Sequence, residues 1–271
     1  MHLPIKSIAI AFGSTEESVL LKGGQGTAYR SGNIVVKPAD GVEQSNWLAD
    51  IFSRLPKSDN VRLAAPVRAI TGEWIYEGFV AWTFLEGEHV NGDYEKKIDA
   101  SLTFHNLIKN IEQPPFLESR KDSWAIADRA VWNAQEFDYD EEFLALIHQI
   151  APKLKPLNLL SQLIHGDMSG NFLSHKTLSP ALIDFSPAWA PNGFGEGIML
   201  ADAIAWENAD LNSLEVFKKL PHIDQFAWRG TLRRILEQAE HIKYWGKSKE
   251  SAVIDALEFQ KTIDYLKENF S

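Results

Sequence analysis

One stretch of the chain concentrates side chains fit for group transfer: Ile164-His165-Gly166-Asp167-Met168-Ser169-Gly170-Asn171-Phe172-Leu173, followed by Leu182-Ile183-Asp184-Phe185. Moving a phosphoryl group from a nucleotide requires a carboxylate to orient the acceptor hydroxyl and oxygen ligands to hold Mg2+ on the phosphates. Asp167 is placed to be that carboxylate. Asn171, on the same loop, offers an amide oxygen to Mg2+, and Asp184, closing the next apolar run, offers the main metal carboxylate. A turn rich in Asp and Asn, or a buried strand end, accounts for any one of these residues. It accounts poorly for all three with Gly166 and Gly170 between them.

A second cluster lies near the start of the chain, at Gly23-Gly24-Gln25-Gly26. Glycines between two strands let backbone N–H groups approach an anion that a Cβ would hold away. Hairpin glycines are as often plain turn chemistry. A Walker A loop is excluded by the missing Gly-Lys-Ser/Thr, and a Rossmann turn by the strand that follows. Lys37 stands eleven residues past Gly26, at the end of Ile34-Val35-Val36, where its ammonium would lie beneath the glycines and meet an α/β-phosphate. Glu43, opening the next helix, is set to hold Lys37 in an ion pair.

These residues need elements to position them. Short β-runs at Ser18–Lys22, Thr27–Arg30, Ile34–Lys37, Arg62–Ile70 and Gly78–Leu85 predict a five-stranded antiparallel sheet. Val42, Trp47, Leu48, Ile51, Phe52 and Leu55 recur at helical spacing and predict one helix packed on it. Past Gly92 the pattern becomes helical: Tyr94–Ile111, Ser123–Gln135, Glu141–Leu154, Ile198–Asn208, Ile223–Tyr244 and Ala252–Asn269. A β-rich island at Leu163–Leu173 and Ala181–Phe185 interrupts it. The fold class is α+β in two lobes: a sheet-bearing lobe over residues 1–87 and a mostly helical lobe over 88–271. There is no internal repeat.

At these motifs the chain resembles the aminoglycoside phosphotransferase and choline kinase-like family, which shares the protein kinase fold. The resemblance runs from Gly23 through the helical tail. It implies a kinase using ATP or GTP with Mg2+, in which Gly23, Gly24, Gln25, Gly26 and Lys37 bind phosphate, Glu43 pairs with Lys37, Asp167 is the catalytic base, and Asn171 and Asp184 hold the metal. Trp82-Thr83-Phe84-Leu85-Glu86-Gly87 resembles the family's hinge, so adenine would bond to backbone at Thr83 and Leu85. His165 and Asp202 support the site, Asp202 by accepting backbone N–H groups of the catalytic loop. The chain departs from protein kinases in having Gly166 where they carry arginine. Only about eleven residues separate Phe185 from Gly197, which leaves no room for an activation loop. A small-molecule acceptor is favoured over a protein. A catalytically silent nucleotide-binding module and a Ser/Thr protein kinase are the competing readings.

Composition narrows the partners. With 27 Lys+Arg against 37 Asp+Glu the net charge is −10, which repels nucleic acid and anionic membrane over most of the surface. The chain has no cysteine, which removes disulfides, Cys-ligated metal and thiol nucleophiles. No signal peptide or membrane span is expected, and the expected location is the cytoplasm. The acidic and aromatic residues near the motifs, Trp189 and Glu196 first among them and Trp206, Glu207 and Asp210 beyond, suit a hydroxyl acceptor that also bears an amine.

Overall fold

The computed structural model describes residues 5–22, 26–132 and 137–270. The chain divides into two compact units, residues 1–88 with Leu173–Ile183, and His89–Phe172 with Asp184–Ser271.

The first unit opens with a helix, α1 (Ile5–Ala11), that the expected sheet-plus-one-helix layout does not contain. Ile8, Ala9 and Phe12 are buried with Ile34, Val36, Ala69 and Ala81, so this short apolar stretch is core. Strands β1 (Ser18–Leu20), β2 (Tyr29–Ser31) and β3 (Ile34–Pro38) form an antiparallel meander, with Leu20 opposite Tyr29 and Ser31 opposite Ile34. Helix α2 (Val42–Phe52) follows as expected. The chain then runs through β4 (Arg62–Leu63), β5 (Pro66–Val67), β6 (Ile75–Tyr76), β7 (Phe79–Thr83) and β8 (Glu88–His89).

In the sheet, β7 lies between β3 and β5, and β6 also pairs with β7 on the edge that β5 uses. The sheet is therefore five strands wide, with β6 as a sixth short strand. Glu77 and Gly78, at φ 50 and 79, turn β6 into β7 as the left-handed pair that a tight hairpin needs. The expected run Arg62–Ile70 is split. Arg62 and Leu63 leave the sheet to pair in parallel with Ala181 and Leu182, which is why Leu173–Ile183 belongs to this unit.

The second unit is mostly helical: α3 (Tyr94–Ile108), α4 (Phe116–Ser119), α5 (Ser123–Ala130) and α6 (Glu141–Ile150). The island then supplies β9 (Ser161–His165) and β12 (Pro187–Pro191) to this unit, while β10 (Phe172–Ser174) crosses into, and β11 (Ala181–Leu182) lies within, the segment that belongs to the first. Helices α7 (Phe194–Ala205), α8 (Ile223–Trp245), α9 (Lys249–Leu257) and α10 (Gln260–Asn269) follow. Strand β12 lies where the text Pro187-Ala188-Trp189-Ala190-Pro191 reads as loop. It runs antiparallel to β9, Pro187 opposite His165 and Pro191 opposite Ser161, with its prolines at the two ends, where a missing N–H costs least. Among the described residues no helix is long and apolar enough to cross a membrane.

Helices α7 and α8 touch backbone to backbone. A Cβ on Gly197 would sit 2.4 Å from the Phe226 carbonyl, and one on Gly230 would sit 2.7 Å from the Gly197 backbone. Neither neighbour is a side chain that can swing away. Gly197→Ala must therefore separate the helices, and a loss at the upper end of overpacking costs, about 3 kcal/mol, is expected. The urea midpoint should fall with an unchanged slope. A midpoint equal to wild type would mean that the helices are not in backbone contact.

Candidate active site

Strand β9 is buried along Leu163, Ile164 and His165 and ends at Gly166, where a Cβ would press on Ala188 at 3.3 Å. The Gly166 N–H donates to Ser186 O at 2.9 Å, which holds the start of the loop against the approach to β12. The Asp167 N–H donates to His165 Nδ1 at 3.2 Å, and Asn171 Nδ2 donates to the Asp167 carbonyl at 2.8 Å. A 3-10 turn over Ser169–Asn171 brings that amide back. Asp167 is thus gripped at both ends of its own peptide. Because the Asn171 nitrogen faces the backbone, its Oδ1 is turned the other way, as an acceptor for a cation.

The Asp167 carboxylate is gripped too, by a residue the sequence does not single out. Arg234, on α8, donates from Nη2 to Asp167 Oδ1 at 2.6 Å and to Asp202 Oδ2 at 2.6 Å, from Nε to Asp202 Oδ1 at 2.8 Å, and from Nη1 to Glu237 Oε2 at 2.9 Å. Glu237 also accepts from Arg233 Nη1 at 2.5 Å and Trp124 Nε1 at 2.9 Å, and Arg233 Nε reaches Asp128 Oδ1 at 2.9 Å. Both arginines are buried, while the Asp167 side chain remains 39% exposed. It is the part of the network that solvent or a substrate can reach.

Burial pushes the Asp167 carboxyl up, but the Arg234 and Arg233 guanidiniums outweigh it and hold the group below its ordinary range. Glu237 is lowered in the same way, burial being outweighed by Arg233 and Arg234. At Asp202 burial wins over Arg234 and the group is raised. The exposed carboxylate at the centre is therefore a fixed anion. It can accept a hydrogen bond from a hydroxyl with its direction already set.

Asp184 is exposed, at φ 49, two residues before Ser186 and so at the same end of the β9–β12 pair as Asp167 and Asn171. The aromatic ring after it, Phe185, packs edge-on against Phe104 at 5.2 Å and His165 at 5.4 Å. An amide oxygen and a carboxylate are hard donors and few. Mg2+ favours such a set because it completes its shell with water and phosphate oxygens. Among the described residues no cluster of three or more His, Asp or Glu is placed to hold a metal ion.

In the first unit, Gly23, Gly24 and Gln25 lie outside the described residues, and Gly26 is exposed at φ 67. Lys37 sits in β3 with its Nζ 3.8 Å from Asp40 Oδ2. The expected partner Glu43 is exposed in the first turn of α2 and makes no ion pair among the described residues. Gly41, at a positive φ of 87, precedes the helix, whose first turn leaves Glu43 exposed.

At the expected hinge, the Thr83 N–H is used by the sheet, donating to Ala65 O at 2.8 Å, and the Phe84 N–H donates to Asn33 O at 2.7 Å. The Ala65 N–H, which the ladder would otherwise send to the Thr83 carbonyl, goes to the Thr83 hydroxyl at 2.9 Å. That arrangement leaves the Thr83 carbonyl as acceptor and the Leu85 N–H as donor. Arg62, also unforeseen, clamps this segment by donating to Glu86 O at 2.7 Å and Ser179 O at 2.6 Å.

Solved structures resemble the chain over nearly its whole length. Spectinomycin phosphotransferase APH(9)-Ia, as its AMP-bound complex, aligns with a TM-score of 0.63 at 13% identity, covering 98% of each chain. The fold is that of the aminoglycoside phosphotransferases and choline kinases. Choline kinase LicA from Streptococcus pneumoniae aligns at 0.58 and 12% identity, covering 97% of this chain and 98% of that one. Amicoumacin kinase hAmiN, solved with AMP-PNP, Ca2+ and Ami, aligns at 0.59 and 13%, covering 98% and 93%. At such identities the likeness is one of protein kinase-like fold. No protein-family model and no curated protein sequence matches the chain.

Within this kinase-like fold several expected residues lie elsewhere than their sequence context suggests. Glu196 is wholly buried, accepts Ser101 Oγ at 2.5 Å and faces His105 Nδ1 at 3.5 Å, so it is not on a surface that meets an acceptor. The first turn of α7, all of it buried, carries Glu196 inward. Glu207, grouped above with the acids that suit an amine, instead takes the buried Lys97 ammonium at 3.0 Å, Tyr94 OH at 2.8 Å and the Gly92 N–H at 3.1 Å. Asp202 is buried, shares Arg234 with Asp167 and lies beside Ser169, and among the described residues no backbone N–H of that loop is given to it. Trp189 is half-buried in β12, opposite Leu163. Trp206 is the exposed aromatic, 41% accessible, with the Arg234 guanidinium 5.0 Å from its ring centre.

Proposed function

We propose that the protein is a Mg2+-dependent small-molecule kinase that moves the γ-phosphoryl of ATP or GTP onto a hydroxyl of a small, amine-bearing acceptor such as an aminoglycoside, an amino-sugar or a choline-like alcohol. The observation that carries this reading is the exposed Asp167 carboxylate, fixed by Arg234, on the loop that also presents Asn171. The acceptor oxygen forms its bond to the γ-phosphorus as the bond to the β-phosphate bridging oxygen breaks, and the nucleoside diphosphate leaves. Asp167, kept anionic and weakly basic, aligns the hydroxyl and takes its proton as charge passes to the phosphoryl group. Asn171 and Asp184 would hold Mg2+, which neutralises the phosphate charge. Lys37 and the glycine loop Gly23–Gly26 would bind the remaining phosphates. The Thr83 carbonyl and Leu85 N–H match the one donor edge and one acceptor nitrogen of adenine.

The amine preference rests on charge near Asp167. Asp128, Asp167, Asp202 and Glu237 are joined to Arg233 and Arg234 in one ion-pair network, four carboxylates on two guanidiniums. Thermal-shift titration with Mg·ATP and Mg·GTP should stabilise the protein. A screen of labelled phosphate transfer onto aminoglycosides, amino-sugars, choline, homoserine and nucleosides should then yield an amine-bearing product. Nucleotide binding without any transfer would favour a silent module, and label appearing in lysate proteins would favour a protein kinase. Asp184→Ala should weaken Mg·nucleotide binding by an order of magnitude or more, as titration calorimetry would show. Unchanged affinity would remove Asp184 from the metal site.

A further inference from the structure

His105 lies on α3 with its side chain wholly buried, and the reaction described above makes no use of it. Its Nε2 accepts the His165 N–H at 2.9 Å. Strands β9 and β12 form a two-stranded sheet, so a backbone N–H on the outer edge of β9 needs a partner from elsewhere, and His105 is that partner. The bond also fixes the state of the ring. A ring nitrogen that accepts an N–H carries no proton, which leaves Nδ1 as the ring's N–H position. Nδ1 faces Glu196 Oε1 at 3.5 Å, and the same oxygen takes Ser101 Oγ.

The connection continues toward the site. His165 Nδ1 accepts the Asp167 N–H at 3.2 Å, so a line of contacts runs from Glu196 on α7 through His105 on α3 to the peptide of Asp167. The junction has little slack. A Cβ on Gly195 would lie 2.9 Å from the His165 carbonyl and 3.3 Å from His105 Cε1. Phe104 and Phe185 enclose the His165 ring edge-on at 6.3 and 5.4 Å.

We propose that His105, as the Nδ1–H tautomer with that nitrogen turned toward Glu196, is a positioning residue that sets the His165 peptide and through it the backbone of Asp167. The proposal rests on Asp167 being the catalytic base, but it has readouts of its own. In a [15N]histidine spectrum of the wild-type protein at neutral pH, His105 should show a protonated Nδ1 and an unprotonated Nε2, the tautomer disfavoured in free histidine. A protonated Nε2 would overturn the proposal.

The His165 amide should exchange slowly in wild type, fast in His105→Phe, which keeps the ring volume but removes the acceptor, and slowly again in His105→Gln, whose amide oxygen restores one. In phosphoryl transfer, His105→Phe should lower kcat at least tenfold with the nucleotide KM unchanged, and His105→Gln should recover most of that loss. Equal kcat in His105→Phe and wild type would also overturn the proposal. If His105→Phe does not fold, the wild-type spectrum and His105→Gln still decide. A wild type that transfers no phosphoryl group sinks the kinase reading instead, and the tautomer and the His165 exchange then judge His105 alone.

Discussion

Asp167→Ala is expected to lower the turnover of phosphoryl transfer by about 10³-fold while leaving nucleotide affinity near wild type, within the range lost when a positioned acid–base group is removed. The substitution is unusually clean in this site. Arg234 loses one of three carboxylates and keeps Asp202 and Glu237, so no buried charge is orphaned. Asn171 holds position 167 through the backbone carbonyl, which alanine retains. The loop should therefore keep its shape, and melting temperature and Mg·ATP binding should report a folded, nucleotide-competent protein. The check is a comparison of kcat and nucleotide Kd on an acceptor found by the screen. Transfer within a few-fold of wild type would strip Asp167 of its role.

Arg234→Met has a different signature because it leaves Asp202 and Glu237 buried near each other with much of their compensating charge gone. Breaking a buried pair by removing one partner costs about 3–5 kcal/mol, and this loss should appear as a large fall in the urea midpoint at neutral pH. Its sign with pH follows from the shifts. Glu237 is lowered in the folded wild type, so the stability it contributes is present above its unfolded pKa and fades as pH falls through the folded value. In the variant Glu237 keeps Arg233 but is lowered less, and Asp202, raised already by burial, loses Arg234 and is raised further, so the folded variant binds protons more tightly than the folded wild type and is hurt less as pH falls. The gap between wild type and variant should narrow between pH 7 and pH 5. A gap that stays constant across that range would show that the network is not governed by charge.

What could be read from the sequence follows the range of the signals. Residues 165–171 announce themselves because the grips on Asp167 by His165 and Asn171 are local, and close spacing is visible in the text. Helices α2, α3 and α8 show their periodicity and lie near their expected limits. Strand β12 was hidden by its prolines, which read as loop until a partner strand is known, and β6 is two residues long. The inward turn of Glu196 depends on the packing of α7, which no local pattern encodes. Arg234 stands 67 residues beyond the carboxylate it holds. Its one trace in the sequence is Leu232-Arg233-Arg234-Ile235-Leu236-Glu237, two arginines set in apolar text with an acid one turn on. Such a pair is worth suspecting as buried. The Lys37–Glu43 pairing, drawn from spacing and from the resemblance, is not among the described ion pairs, where Lys37 meets Asp40 and Glu43 is exposed in the first turn of α2.

The Arg234 bridge also says something about the order in which the protein acquires its competence. A ribosome completes the whole of the His165–Asp184 motif long before α8 is made, and domains fold as their chain emerges. Until Arg234 leaves the exit tunnel and α8 docks across Gly197, the Asp167 carboxylate lacks the guanidinium that directs it in the folded chain. Nascent or truncated chains that lack α8 would carry every signature residue and still have an undirected carboxylate. Fixing of the Asp167 carboxylate is thus expected as a late, long-range event, set by a helix that contains none of the recognisable motifs.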